Sequence, residues 1–186
     1  MLKPLKLKVS PMKFYTKCLL VLLCFSIFSF SQNNEDEALA LKVHNDARKD
    51  VGVKALKWSK KLEKEALNYA KLLAKKDNKL KHSKRTRNGE NLAMFYESVY
   101  SLGKKTSVYS ATPLYDASIE WYNEIKNYRY SKIKRYRIGP AIGHYTQMIW
   151  KNTREVGIAS AVSRNGKVYV VARYYPSGNY LGEYPY

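Results

Sequence analysis

Five polar residues in this chain carry side chains suited to chemistry: His44, His82, Glu90, Glu124 and His144. Imidazole exchanges a proton near neutral pH and is the commonest metal ligand. A neighbouring glutamate can orient it or take its proton. The chain holds only three histidines, so any histidine-based site draws on these. His82 sits in a basic loop before GEN (89–91), Glu124 in WYNE (121–124), and His144 in GHYTQMIW (143–150). His82 and His144 stand 62 positions apart and form no local metal motif. Taken alone, GHYTQMIW leaves His144 as either a chemical group or a packing residue beside an apolar stretch. His44, in HNDAR (44–48), reads as a structural residue that packs and hydrogen-bonds at the end of the first helix.

The elements that must position these residues are legible from periodicity. NNEDEALALKVHNDARKDVG (33–52) begins with acids and ends with Arg48, Lys49 and Gly52, a polarity that suits a helix dipole and a glycine stop. Ser59 is a good N-cap, and Leu62, Ala66, Tyr69, Ala70, Leu73 and Ala74 follow at helical spacing, so 59–76 is an amphipathic helix. A basic loop (77–91) precedes GENLAM, a short extended or helical piece, and 95–112 reads as a Tyr- and Ser-rich surface excursion. Thr112-Pro113 opens a helix over 113–127, with proline where its missing N–H costs little. A second basic loop spans 128–143, and GHYTQMIW opens a short fourth helix. Residues 154–175 are two β-rich runs around Asn165-Gly166, a strong hairpin signal. Helices first and a hairpin last indicate an α+β fold, with helices covering an antiparallel sheet.

Residues 1–31 read as a secretory signal: five lysines precede the apolar run CLLVLLCFSIFSF (18–30). Its 13 residues fall short of the roughly 20 that span a bilayer as a helix. The expectation is a secreted or periplasmic protein whose residues 32–186 form a single domain. Both cysteines, Cys18 and Cys24, lie in the leader. Disulfides, thiolate catalysis and cysteine-based zinc sites are therefore excluded from the rest. Without the leader lysines, 29 basic residues face 15 acidic ones, a net +14. Such a charge favours anionic partners: lipid headgroups or an anionic membrane surface, and acidic polysaccharide. The basic stretches interleave lysine and arginine with tyrosine, but no nucleic-acid fold motif accompanies them, so no specific nucleic acid is expected.

HNDAR (44–48), LKW (56–58), KHS (81–83) with GENLA (89–93), WYNEIKNY (121–128), GHYTQMIWKNT (143–153) and VARYYPSGNYLGEYPY (171–186) stand in the order seen in the CAP superfamily. The chain resembles that group, which comprises cysteine-rich secretory, antigen 5 and pathogenesis-related 1 proteins and is also called the SCP domain. WYNEIKNY and VVARYYPSGN are most similar to its cysteine-poor, Golgi-associated pathogenesis-related branch. Ala172 stands where many secreted members carry a disulfide cysteine, and the 128–143 loop is unusually basic.

The resemblance implies a three-layer α-β-α sandwich with a central antiparallel sheet and a large cleft. At the cleft floor it implies a tetrad of His82, Glu90, Glu124 and His144. Two neutral imidazoles there would ligate Zn²⁺ or another divalent metal with positions left open, and the carboxylates would accept the imidazole N–H groups. Glu90 and Glu124 are then the candidate catalytic acids and bases, beside a metal-polarised water or in a metal-free His–Glu pair. A mutually hydrogen-bonded quartet that only holds helices to the sheet is the structural alternative. Tyr145, Thr146 and Gln147 are expected to line the cleft, and Met148, Ile149, Trp150 and Trp121 to fill the core. The expected function is a binding module for lipid or other anionic ligands. A metal-dependent hydrolase or protease, and an extracellular interaction protein recognised through its loops, are the competing classes.

Overall fold

The structure, a computed structural model, describes residues 34–186 except 78, 85 and 137. The expected signal segment lies outside the described residues. Residues Glu35–Tyr186 form one compact unit. Its elements run α1 (34–50), β1 (Lys57–Trp58), α2 (Lys60–Lys76), β2 (Gly89–Phe95), β3 (Glu97–Ser101), β4 (Lys104–Val108), α3 (Pro113–Asn123), a 3₁₀ turn (Glu124–Asn127), α4 (Gly143–Met148), β5 (Glu155–Val162) and β6 (Val168–Tyr175).

The main sheet has the order β1-β5-β6-β2; β1 runs parallel to β5, and the other pairs are antiparallel. Side chains alternate across β6 because successive Cβ atoms of a strand point to opposite faces. Tyr169 and Val171 meet Ala66, Ala70 and Leu73 of α2. Val168, Val170, Ala172 and Tyr174 meet Ala40 and Ala47 of α1, Leu114 and Trp121 of α3, and Met148 of α4. One helix covers one face and three cover the other: the α-β-α sandwich. Met148, Ile149, Val156 and Val170 are wholly buried, each worth roughly 1.5–3 kcal/mol of apolar transfer.

Gly157 explains how closely α2 sits on the sheet. A Cβ there would lie 2.1 Å from the Glu63 backbone nitrogen and 2.7 Å from the Ser59 carbonyl. The first turn of α2 thus rests directly on the β5 backbone, where Ser59 donates its N–H to Val156 O at 2.8 Å. Ser59 does occupy the N-cap of α2, but its side chain caps nothing. Helix α3 takes its cap from elsewhere in the chain. Asp36 of α1 accepts the Leu114 and Tyr115 N–H groups at 3.0 and 2.9 Å, whereas the side chain of Thr112 makes no cap bond.

Arg48 ties the helical layer together without an acid. Its buried guanidinium donates to the carbonyls of Lys54, Met148, Trp150 and Thr153 at 2.6–3.0 Å. His44, one turn earlier, is equally buried. Its Nδ1 faces Ala40 O and its Nε2 faces the Tyr174 hydroxyl, both at 2.8 Å. A carbonyl only accepts, so Nδ1 carries the proton and Nε2 accepts from Tyr174.

Two expectations change. The surface excursion over 95–112 contains a β-hairpin, β3–β4, forming its own two-stranded sheet. Its turn is Leu102-Gly103, with φ of 51° and 74°. Leucine is unusual in that left-handed conformation, so no Asn-Gly signal announced it. The single helix over 113–127 ends at Asn123 and tightens into the 3₁₀ turn, which places Glu124 at the junction.

Candidate functional site

Two His–Glu pairs approach one cavity of about 420 Å³ from different layers. In the first, Glu90 stands on β2, in register with Arg173 on β6, on the α2 face of the sheet. His82 lies in the loop before β2, and its Nδ1 is 2.6 Å from Glu90 Oε1, which also accepts the Ser83 N–H at 3.0 Å. Arg173 Nη1 lies 2.6 Å from Glu90 Oε2 as an ion pair off the angle of a hydrogen bond, and donates to Ser83 Oγ at 3.0 Å. The Glu90 and Arg173 side chains are only 4% and 5% exposed, whereas the His82 ring is 66% exposed. A buried ion pair thus underlies an accessible imidazole.

In the second pair, Glu124 leaves the end of α3 and accepts three N–H groups. Its Oε1 takes His144 Nδ1 at 2.7 Å; its Oε2 takes the backbone N–H of His144 at 2.8 Å and of Tyr145 at 3.1 Å. These backbone donors are the free N–H groups that open α4, and a carboxylate is their natural acceptor. The Trp121 ring lies beside the His144 ring, centroids 6.2 Å apart. Asn91 donates to His144 O and to the Tyr174 hydroxyl, both at 3.1 Å, which joins this pair to the buried His44.

The electrostatics follow from these contacts. Burial alone would raise the Glu90 carboxyl, but the hydrogen bonds from His82 and Ser83 and the Arg173 charge outweigh it and hold it below its ordinary value. Burial likewise raises the Glu124 carboxyl, but the His144 contacts and two backbone N–H groups outweigh it and hold it below its ordinary value. The Glu90 hydrogen bond raises His82 against partial desolvation. Both glutamates are therefore anions at neutral pH, and anions only accept. Each histidine donates from Nδ1, so that in the neutral ring Nε2 keeps its lone pair.

The cavity is lined by His82, Glu90 and His144, while Glu124 stands behind His144 rather than on the surface. Of the expected lining residues, Gln147 lies on this cavity, with its Oε1 accepting the Gly178 N–H at 3.0 Å. Thr146 faces the neighbouring cavity and donates to Asn179. Tyr145 lies instead in the core, against Tyr122 and Tyr128. Its phenol is large and apolar enough to serve as the packing side of α4. Sequence reasoning passed over Arg173. The signal for Arg173 was present: one cation inside the otherwise uncharged strand VYVVARYY (168–175).

Among the described residues no group of three or more His, Cys, Asp or Glu converges as metal donors. Nor is any described helix long and apolar enough to cross a membrane.

The family model of the CAP, or cysteine-rich secretory protein, family matches residues 41–174. The human Golgi-associated plant pathogenesis-related protein 1 is 38% identical over 146 residues, 77% of this chain and 84% of the relative. Pathogenesis-related protein 1C of Nicotiana tabacum is 34% identical over 173 residues, 93% of each chain. A crystal structure of NaASP2 with Zn²⁺ superposes with a TM-score of 0.64 at 26% identity, covering 82% of this chain and 85% of that one. The hookworm platelet inhibitor, 19% identical with a TM-score of 0.58, shares the fold. With a family model spanning most of its length and relatives matched nearly end to end, this chain belongs to the CAP family.

Proposed function

We propose that this is an exported, secreted or periplasmic, binding protein whose cleft holds a divalent metal, Zn²⁺ first among them, between His82 and His144. The basic faces around that cleft receive lipid headgroups or other anionic ligands. One observation carries the reading. Both imidazoles spend Nδ1 on an ionised carboxylate, and both rings line a single cavity. That is the arrangement in which a carboxylate fixes the tautomer of a metal-bound histidine. Two protein nitrogens leave positions for water or ligand oxygen, a donor set that suits Zn²⁺. The presence of Zn²⁺ in the NaASP2 crystal structure supports the same choice.

The hydrolase alternative is weaker on the same geometry. A general base needs a lone pair turned toward the reactant. Glu124 has both oxygens occupied by N–H donors, and Glu90 is buried beneath His82 against Arg173. Both are held below their ordinary values, which makes them poor proton acceptors. They orient; they do not catalyse.

Calorimetric titration of Zn²⁺ into the metal-stripped protein, beside His82→Ala and His144→Ala, tests the reading. The expected outcome is micromolar or tighter binding, weakened at least tenfold in both variants with the circular dichroism spectrum unchanged. Equal affinity in wild type and variants would show that the pair holds no metal.

A further inference from the structure

Three cavities adjoin end to end. The central one, with His82, Glu90 and His144, shares His82, Ser83 and Thr86 with a cavity of about 920 Å³ beside α2. On its other side it shares Ala141, Gly143 and Asn179 with a cavity of about 340 Å³ under the 128–143 loop. Together they make one open trough with the histidine pair at its middle. Its charge is not uniform. Lys76, Lys81 and Lys84 line the first end, and Lys132 and Lys134 the other. Among the described residues none of these five lysines forms an ion pair. The single acid at the first end, Glu65, already accepts from Asn88 at 2.7 Å. The middle offers neutral polar groups, Thr86 and Ser177 among them.

We infer that the trough binds a linear acidic polysaccharide, a chain of uronate or sulfated sugars that crosses the histidine pair and engages a cationic cluster at each end. The inference rests on reading the cleft as a binding site. It adds that the ligand is a polymer rather than a small headgroup. Two separated clusters reward a ligand that reaches both, since the second contact becomes intramolecular. Lysine ammonium groups neutralise carboxylate or sulfate without demanding bidentate geometry, and hydroxyl-rich sugars match the polar middle. A single-stranded nucleic acid fits less well, because it needs exposed rings for its bases. Among the described residues the one tyrosine lining the first end, Tyr69, has the Arg173 guanidinium 5.2 Å from its centroid and its hydroxyl bonded to Lys81 O, and the His82 ring is held by Glu90.

The test is binding of a fluorescent heparin-derived dodecasaccharide by anisotropy, beside the tetrasaccharide and a single-stranded dodecanucleotide. The variants are Lys81→Glu/Lys84→Glu at one end and Lys132→Glu/Lys134→Glu at the other. Lys49→Glu/Lys57→Glu, which lies in none of the three cavities, is the control of equal charge change. The dodecasaccharide should bind at least tenfold more tightly than the tetrasaccharide. Each end variant should lose at least tenfold of that affinity, and the control less than threefold. Equal losses in all three variants would reduce the effect to net charge and overturn the proposal. So would tighter binding of the dodecanucleotide, or no preference for the longer sugar. Zn²⁺ titration of the lysine variants separates the two readings. In the end variants, unchanged metal binding with lost sugar binding supports the trough; in the wild type, intact metal binding with no preference for the longer sugar refutes the trough alone.

Discussion

His44 makes a prediction that can be worked to a magnitude. Burial strips its imidazole of water and pushes its pKa down to about 4, with the nearby Arg48 charge acting in the same direction and the Ala40 hydrogen bond opposing. An unfolded histidine titrates near 6.5. The sign follows from which state takes the proton first. Between those values the unfolded chain binds a proton that the folded chain refuses, so stability falls as the pH falls. A gap of about 2.5 units at 1.36 kcal/mol per unit gives roughly 3 kcal/mol, a large share of a typical domain's stability. The loss begins near pH 6.5, steepens to about 1.4 kcal/mol per pH unit, and levels below pH 4.

The other titrating groups of the site fall in separate windows. Glu90 and Glu124 have lowered values, so their contribution is present above about 4.5 and is lost only below it. His82 is raised: its contribution is complete below 6.5 and is lost as the pH climbs through its folded value, on the alkaline side. Urea unfolding at intervals from pH 7.5 to 4.5, read as the difference between wild type and a His44 variant, therefore isolates His44 from the raised Asp36 and Glu120 carboxyls. His44→Phe removes the titration. It also leaves Tyr174 without its acceptor, at about 1–3 kcal/mol of baseline stability. The wild type should lose about 2–3 kcal/mol more than His44→Phe across the window. An equal slope in the variant would refute a buried neutral imidazole.

Three further predictions follow from particular contacts. Arg48→Met leaves the carbonyls of Lys54, Met148, Trp150 and Thr153 without their donor, and thermal unfolding should report a loss of about 3–5 kcal/mol. Gly157→Ala sets a methyl against the α2 backbone, which cannot turn aside as a side chain would. Denaturant unfolding should show about 1–3 kcal/mol lost, with α2 amides exchanging faster. Glu124→Gln keeps the shape but removes the anion that fixes the His144 tautomer. Zn²⁺ affinity by calorimetry should fall about 10–100-fold, and the melting temperature should fall as well, because an amide nitrogen replaces one of the two oxygens that accept N–H groups at the opening of α4.

The sequence showed the helices and the terminal hairpin because each repeats a pattern over many residues. Leu62, Ala66, Ala70 and Leu73 mark α2, and Asn165-Gly166 joins β5 to β6 within a residue or two of where periodicity set them. What periodicity could not show is anything made by contact across the fold. The cap of α3 comes from Asp36, 78 positions away from Leu114, and the opening of α4 is capped by Glu124. The tetrad itself was legible only through family resemblance, because a 62-residue gap carries no spacing signal. Tyr145 shows the limit of that route: its motif neighbour His144 reaches the cavity, while the next residue around the helix turns into the core.

The same contacts show that the site is two structures rather than one. Glu90 holds the 77–88 loop through His82 and Ser83, and it is anchored by Arg173 within the sheet. Glu124 holds the first turn of α4 and is anchored at the end of α3. Cysteines are absent from residues 34–186, so no disulfide couples the halves. Among the described residues no hydrogen bond links His82 or Glu90 to His144 or Glu124. Removing one carboxylate should therefore release one histidine and leave the other seated. A ligand or metal that touches both is what would make the two halves act together.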